Sequence, residues 1–124
     1  MGRDIKTSLA ALCELLSRIT LDTQDEKHAQ RQLEFIFIKL KISFIREYKL
    51  GDGYIDFFFP NTGIGLEMKA HHSTSKSDVY RQCERYTSHD SIKGLILATG
   101  KFQGLPNLIN GKPTMVHLIS EGTL

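Results

Sequence analysis

Residues 53–69 read GYIDFFFPNTGIGLEMK and contain two short apolar runs separated by Pro60-Asn61-Thr62-Gly63. Apolar runs separated by turn-forming residues are typical of a β-hairpin. If Asn61 and Thr62 form a two-residue loop, Pro60 faces Gly63, and the same register places Asp56 opposite Glu67. The sequence therefore predicts a hairpin with two carboxylates facing each other across its strands.

Side chains alternate along a strand, so this hairpin divides into two faces. One face carries Tyr54, Asp56, Phe58, Gly65, Glu67 and Lys69. The other face is wholly apolar and carries Ile55, Phe57, Phe59, Ile64, Leu66 and Met68. A slip of one residue would bury a carboxylate without a partner, which is costly, so burial fixes this register.

The opposed pair Asp56 and Glu67 predicts a metal site. Two carboxylates directly opposed on a sheet repel each other unless positive charge lies between them. A divalent cation supplies that charge, and hard oxygen ligands favour Mg²⁺ or Mn²⁺. Lys69 lies on the same face and can reach the same volume. The alternative is a solvated polar face in which Lys69 forms an ordinary surface ion pair with the acids.

Helical periodicity precedes the hairpin. Apolar residues from Ile5 to Ile19, behind a possible Asp4 cap, predict a first helix over about residues 4–20. Thr23-Gln24-Asp25-Glu26 has the form of a capping box, which predicts a second helix from about Gln24 to Leu40. Its expected apolar stripe consists of Leu33, Ile36, Phe37 and Leu40.

The remaining pattern completes an α/β domain. We expect a strand over 43–49, a third helix capped by Ser77 or Asp78 and running to about Tyr86, and strands over 94–99 and 115–119. Residues 100–113 are rich in Gly, Pro and Asn and predict a loop. The order predicts a mixed central β-sheet flanked by helices, with residues 1–124 in a single domain and a catalytic core over about 23–119.

Composition sets broad limits on function. The 124 residues are 40% hydrophobic, and the net charge of +2 neither marks nor excludes a nucleic-acid-binding protein. Cys13 and Cys83 lack Cys-x-x-Cys spacing, and no apolar run approaches the roughly 20 residues that span a bilayer. We therefore expect a cytoplasmic protein without a membrane partner.

Three motifs in sequence order resemble those of the PD-(D/E)xK nuclease superfamily. They are Gly53-Tyr54-Ile55-Asp56, Gly65-Leu66-Glu67-Met68-Lys69 and Gln82-Cys83-Glu84-Arg85-Tyr86. Within this superfamily the chain is similar to small phage and virus-type replication-repair nucleases and to Holliday-junction resolvases, over about residues 23–99. The resemblance implies a restriction-endonuclease-like core and a Mg²⁺-dependent deoxyribonuclease of phage or bacterial DNA replication, recombination or repair.

The resemblance also implies a role for each residue of the hairpin site. Asp56, Glu67 and the backbone carbonyl of Met68 would hold the metal, and Lys69 would orient or help deprotonate the attacking water. In-line attack on the phosphodiester would leave a 5′-phosphate and a 3′-hydroxyl, with the cation neutralising the developing charge. Ile55 stands where the family name has proline, a position that acts only through packing.

Gln82 and Tyr86 are candidate site residues on the third helix. They are four apart on one helical face and resemble the Gln-x-x-x-Tyr element of exonuclease branches of the superfamily. That likeness implies that they brace the site and contact the strand. In the alternative, Val79, Cys83 and Tyr86 form a buried stripe and Gln82 is exposed.

A glutamate of the preceding helix completes the site in many members of the superfamily. Glu26 is the favoured candidate, because it lies on the inward stripe of the second helix, although the capping box also explains it. Glu34 is the other candidate and lies off that stripe.

Basic side chains near the hairpin are candidates for phosphate contact. His72, Lys76, Arg81 and Arg85 cluster beside it, and Arg81 and Arg85 are four apart on one helical face. The alternative is a solvated basic face.

Two functions follow as hypotheses. The first is a Mg²⁺-dependent, structure-selective DNA endonuclease that acts as a homodimer because a two-armed substrate needs two cuts. The second is a nuclease-like fold that only binds nucleic acid or a protein partner. Gln82 and Tyr86 favour exonuclease action and the small size favours endonuclease action, so this choice stays open.

Overall fold

The computed structural model describes residues 4–69 and 75–119. Within these residues the helices are α1 (Ile5–Ser17), α2 (Glu26–Lys39) and α3 (Lys76–Thr87). The strands are β1 (Ile45–Leu50), β2 (Gly53–Phe59), β3 (Ile64–Lys69), β4 (Gly94–Thr99), β5 (Leu108–Ile109) and β6 (Lys112–Leu118). No helix in these two ranges is long and apolar enough to cross a membrane.

The strands of the described residues form one mixed sheet in the order β1-β2-β3-β4-β6-β5. The central neighbours β3, β4 and β6 run parallel, whereas β1, β2 and β3 form an antiparallel meander and β5 pairs antiparallel with β6. The crossover from β3 to β4 contains α3, as parallel neighbours require. The predicted α/β class with a mixed sheet flanked by helices is confirmed.

The helices cover both faces of the sheet. One core contains the buried residues of α1 and α2 together with Phe57, Phe59, Leu66 and Met68. The other core lies under α3 and contains Ile55, Phe58, Val79, Cys83 and Tyr86. The hairpin β2–β3 is therefore buried from both sides, and its Glu67 face is not the solvated surface that one sequence interpretation considered.

The predicted hairpin register is confirmed, since Phe57 pairs with Leu66, Phe58 with Gly65 and Phe59 with Ile64. The turn is longer than the predicted two residues: it spans 60–63, and the Gly63 N–H donates to the Phe59 carbonyl (2.8 Å). Gly63 has φ of +82°, a conformation that glycine adopts without the strain of a Cβ.

The predicted face of Ile55 is wrong. Ile55 packs in the core under α3 with Phe58, instead of with Phe57 and Phe59 on the other side. Two irregularities at this level of the sheet explain the change of face. The pairing of β2 with β3 does not extend to Asp56, and Glu47 of the neighbouring strand has φ of +48°. Such departures from extended backbone interrupt strict alternation.

Helix starts differ from the predictions where several cap-forming residues are close together. Asp4 caps α1 as expected, because its carboxylate accepts from the Thr7 N–H (2.8 Å). Asp25 is the N-cap of α2 and accepts from the His28 N–H (3.1 Å), so the helix starts at Glu26 and not at Gln24. Ser75 caps α3, two residues before the nearer of the two predicted caps.

Two further segments depart from the predictions. The predicted loop 100–113 contains β5, which turns into β6 through Asn110 and Gly111, both at positive φ (54° and 75°). Asn-Gly with two positive φ angles is the preferred two-residue hairpin turn.

The buried stripe of α2 consists of Ala29, Leu33 and Phe37. Leu40, which was predicted to belong to it, is the C-cap of the helix and is 52% exposed.

Candidate metal centre

Two carboxylates lie in the gap where the β2–β3 ladder stops. Beyond the last pair, Phe57 with Leu66, backbone-to-side-chain hydrogen bonds join the two strands. The Met68 N–H donates to Asp56 Oδ2 (2.8 Å), and the Asp56 N–H donates to Glu67 Oε1 (3.3 Å). The predicted convergence of Asp56 and Glu67 is therefore present, with each carboxylate bound to the backbone of the opposite strand.

The pair is deeply buried, which makes its negative charge unfavourable. Glu67 is only 4% exposed, and burial, reinforced by the charge of Asp56, raises its pKa to about 8. Burial also raises the pKa of Asp56, against the opposing effects of the Met68 N–H and Lys69. Lys69 Nζ lies 3.3 Å from Glu67 Oε2 and compensates part of this charge. One ammonium group balances only one of the two negative charges that the pair carries when both acids are ionised.

The oxygen atoms around this gap are suitable ligands for a hard divalent cation. In an extended strand the N–H and C=O of one residue point to the same neighbour. The Met68 N–H points to Asp56, so the Met68 carbonyl faces the same gap. Two carboxylates and one carbonyl match the preference of Mg²⁺ or Mn²⁺ for oxygen ligands with water in the other positions. The donor set therefore fits the cation that the sequence predicts.

Helix α3 covers the pair with Cys83 and Tyr86. Tyr86 is 4% exposed, and its hydroxyl donates to the Tyr54 carbonyl (2.9 Å), two residues before Asp56. Burial first, and then the charges of Glu67 and Asp56, raises the pKa of its phenol. Burial and the charge of Glu67 raise the pKa of the Cys83 thiol to about 12, so Cys83 stays protonated at neutral pH. Tyr86 thus fixes the strand that carries Asp56.

Gln82 is partly buried, whereas the alternative interpretation expected it to be exposed. Its amide oxygen is buried and has no hydrogen-bond partner among the described residues. A buried oxygen without a partner is costly, and such atoms are normally satisfied by water or a ligand. Val79, Cys83 and Tyr86 do form the buried stripe of α3.

Arg46 is a site residue that the sequence reasoning missed. Its Nε donates to the Asp56 carbonyl (3.3 Å), and its Nη1 and Nη2 donate to Glu34 (2.9 Å) and Gln30 (2.9 Å) of α2. The guanidinium also lies over the Phe57 ring, 4.8 Å from its centroid. These contacts join residues 10 to 16 positions apart, so no local spacing indicates them.

The structure does not group Glu26 with the acidic pair. Within residues 4–69 and 75–119, no set of three or more His, Cys, Asp or Glu side chains is placed to hold a metal ion. Glu26 lies in the first turn of α2. Glu34 is linked indirectly to the Asp56 backbone, because Arg46 binds both. Its carboxylate is bound to Arg46 and not to the acids of the hairpin.

The predicted phosphate-contacting residues spread along α3. Lys76 lies in the first turn and Arg85 in the last, and both are exposed. Arg81 forms an exposed ion pair with Asp78 (3.0 Å). Arg85 borders a cavity of about 280 Å³ with His89 and residues 51–53. His72 lies outside the described residues.

The chain matches no family model, no curated protein and no solved structure. The function of the chain is therefore inferred from the geometry of the site and from the sequence motifs.

Proposed function

We propose that this chain is a divalent-metal-dependent deoxyribonuclease that hydrolyses phosphodiester bonds as a structure-selective endonuclease of phage or bacterial DNA replication, recombination or repair. The observation that carries the proposal is the convergence of Asp56 and Glu67 in a buried gap, with Lys69 Nζ 3.3 Å from Glu67. Two buried carboxylates at one place can both ionise only at a large cost unless a cation lies between them, so the pair is explained by a cation site and not by core packing.

The order of elements supports a restriction-endonuclease-like core. Asp56 lies on the middle strand of an antiparallel meander, Glu67 and Lys69 lie on the next strand, and α3 crosses over to a parallel neighbour. The motifs that resemble PD-(D/E)xK nucleases fall on these same elements. Motif order and strand positions therefore point to the same class of enzyme.

Each residue of the site has a separate role in phosphodiester hydrolysis. Asp56, Glu67 and the Met68 carbonyl would hold Mg²⁺ or Mn²⁺, which when bound supplies positive charge to the scissile phosphate and acidifies water. Lys69 has an ammonium group with three donors, of which one faces Glu67, so it can also orient water or a phosphate oxygen. Tyr86 and Arg46 hold the Asp56 strand in place from its two sides.

The test is a cleavage assay on single-stranded, linear duplex, flapped and four-way DNA of shared sequence, with Mg²⁺ or Mn²⁺ and with chelator. We expect cation-dependent cleavage by the unmodified chain, and a loss of roughly 100-fold or more in Asp56→Ala and Lys69→Ala. Asp52→Ala is the matched control, because Asp52 is an exposed acid in the turn before β2. Undiminished cleavage by Asp56→Ala or Lys69→Ala would reject the proposal, as would salt-sensitive DNA binding with no cleavage at all.

A circular substrate separates the two modes of action. An endonuclease opens closed circular DNA, whereas an exonuclease requires an end. The position of Tyr86 against the Asp56 strand is compatible with both.

The enzyme acts as a homodimer in the cytoplasm. Asp56 and Glu67 form one proposed site per chain, and a two-armed substrate needs two cuts. β5 pairs only with Lys112 and Pro113, so residues 115–118 of β6 have an edge without a partner strand within the described parts of the chain.

Both cysteines are free thiols, as a reducing compartment favours.

A further inference from the structure

We infer that Phe102, with Lys76 beside it, is a stacking platform for an unpaired nucleobase next to the metal centre. This inference depends on the proposed function and narrows it, because it assigns the enzyme a substrate with a single-stranded segment near the cut.

Phe102 is exposed in a way that packing does not explain. It is 76% exposed, more than any other large hydrophobic side chain of the described residues. Lys76 Nζ lies over its ring, 5.6 Å from the centroid. An exposed aromatic face beside an ammonium group combines the two contacts that bind single-stranded nucleic acid, base stacking and phosphate attraction.

The loop that carries Phe102 is held at the edge of the site. The Gly100 N–H donates to the Lys69 carbonyl (3.1 Å), so the loop leaves the sheet directly beside Lys69. Thr99 Oγ1 and the backbone of Lys101 exchange two hydrogen bonds of 3.1 Å. The Gln103 side chain then donates to the Lys76 carbonyl (3.1 Å) and fixes the loop to the start of α3. Phe102 lies between these two anchored points.

The chain path limits the distance between Phe102 and Lys69. Phe102 is two residues after Gly100, which places its backbone within about 10 Å of the Lys69 carbonyl. A duplex strand rises about 3.4 Å per nucleotide and an unstacked strand is more extended, so this span corresponds to no more than roughly three nucleotides. A base inside a duplex has neighbours on both faces, so a base that stacks on the ring must be unpaired or at a strand end.

A second lysine-covered phenylalanine provides the matched control. Lys39 Nζ lies 5.2 Å from the centroid of Phe35, which is 61% exposed on α2. α2 packs on the opposite face of the sheet from α3. Phe35 thus has the same local chemistry without the position beside Lys69.

The experiment measures affinity for a labelled single-stranded oligonucleotide and for a blunt duplex of the same sequence, in Ca²⁺ to suppress turnover. We expect Phe102→Ala to weaken single-strand binding roughly 5- to 150-fold and to leave duplex binding unchanged. Phe102→Trp should restore single-strand binding, and Phe35→Ala should change neither affinity. Lys76→Met should weaken both and lower the logarithmic salt slope by about one.

Unchanged single-strand affinity in Phe102→Ala would overturn the inference, as would equal losses for single strand and duplex. Failure of the platform is distinguishable from failure of the nuclease. If the unmodified chain cleaves DNA with a cation and Phe102→Ala binds the single strand unchanged, the stacking platform is rejected and the nuclease proposal stands. Selective loss of single-strand binding in a chain that never cleaves would support the platform and reject the nuclease.

Discussion

Asp56 Oδ2 accepts a 2.8 Å hydrogen bond from the backbone N–H of Met68 at the point where β2 and β3 cease to pair. A side chain therefore takes the place of a ladder partner, and the two strands remain joined while a gap opens between them. Glu67 reaches into the same gap from the other strand, where its Oε1 accepts from the Asp56 N–H. The end of the ladder thus brings together the carboxylate oxygen atoms on which the proposed chemistry depends.

The stability of the metal-free protein should fall as pH rises from about 5 to about 8.5. The pKa of Glu67 is about 8 in the folded chain, against 4.5 when unperturbed, so between these values the folded state binds the extra proton. Stability from such a group is fully present below the unfolded pKa and is lost as pH rises through the folded one. Asp56, whose pKa is also raised, acts with the same sign. The loss from Glu67 is at most about 5 kcal/mol.

Denaturant unfolding of Glu67→Gln over the same pH range is the control for this prediction. The amide stays neutral, so the variant should show a flatter profile and exceed the unmodified chain in stability at pH 8.5. Excess Mg²⁺ should stabilise the unmodified chain more at pH 8.5 than at pH 5.5, because the cation requires ionised acids. If the unfolding free energies of the unmodified chain and of Glu67→Gln change in parallel with pH, the raised pKa of Glu67 is contradicted.

Replacement of Lys69 should separate catalysis from metal uptake. Lys69→Met keeps the aliphatic stem and removes the ammonium group that lies 3.3 Å from Glu67. We expect cleavage to fall by roughly 100-fold or more while Mn²⁺ still binds, because the oxygen ligands are unchanged. Cleavage kinetics and Mn²⁺ calorimetry on the same preparation measure both. Loss of Mn²⁺ binding in Lys69→Met would show that the lysine acts on the fold of the site.

Truncation of Arg46 should destabilise the fold by about 2 to 3 kcal/mol. Its guanidinium joins Glu34 and Gln30 of α2 to the Asp56 carbonyl, and removal leaves these partly buried acceptors without their donor. Urea unfolding of Arg46→Ala measures the loss. Arg18→Ala is the matched control and should cost no more than about 0.5 kcal/mol, since Arg18 and Glu14 are 74% and 64% exposed. Equal stabilities of the two variants would refute the bracing role.

Alanine at Gly63 should weaken the hairpin. Gly63 has φ of +82°, and an added Cβ would lie 2.5 Å from Lys93 Cγ. The left-handed conformation alone costs a side chain about 1 to 2 kcal/mol. Thermal unfolding of Gly63→Ala should show this loss, whereas Gly104→Ala should not, because a Cβ at Gly104 meets nothing within 4 Å. A Gly63→Ala protein as stable as the original would contradict the turn geometry.

The sequence was sufficient for the hairpin and for its two acids. Their register followed from the turn residues and from local alternation. The premise that the native register keeps both acids out of the core is wrong, because Glu67 is only 4% exposed. The Asn110-Gly111 turn carried a stronger hairpin signal than Asn61-Thr62, and it was missed because the short strand before it has only two residues. Helix starts were uncertain where Ser and Asp residues compete as caps within a few positions.

Contacts between elements that are distant in the sequence could not be predicted from residue spacing. Ile55 changes face because pairing is interrupted at Asp56, an effect that a regular alternation rule does not contain. The burial of Glu67 depends on how α3 crosses the sheet, and the Arg46 contacts depend on how α2 docks beside β1. These are consequences of packing between elements and not of residue spacing.

The most direct measurement is a calorimetric titration of Mn²⁺ into the unmodified chain, Asp56→Asn and the control Asp52→Asn at pH 8. The unmodified chain and the control should each bind one Mn²⁺ per chain, and Asp56→Asn should bind it roughly 100-fold more weakly or not at all. Equal uptake by Asp56→Asn, or no uptake by the unmodified chain, would contradict a metal centre between β2 and β3.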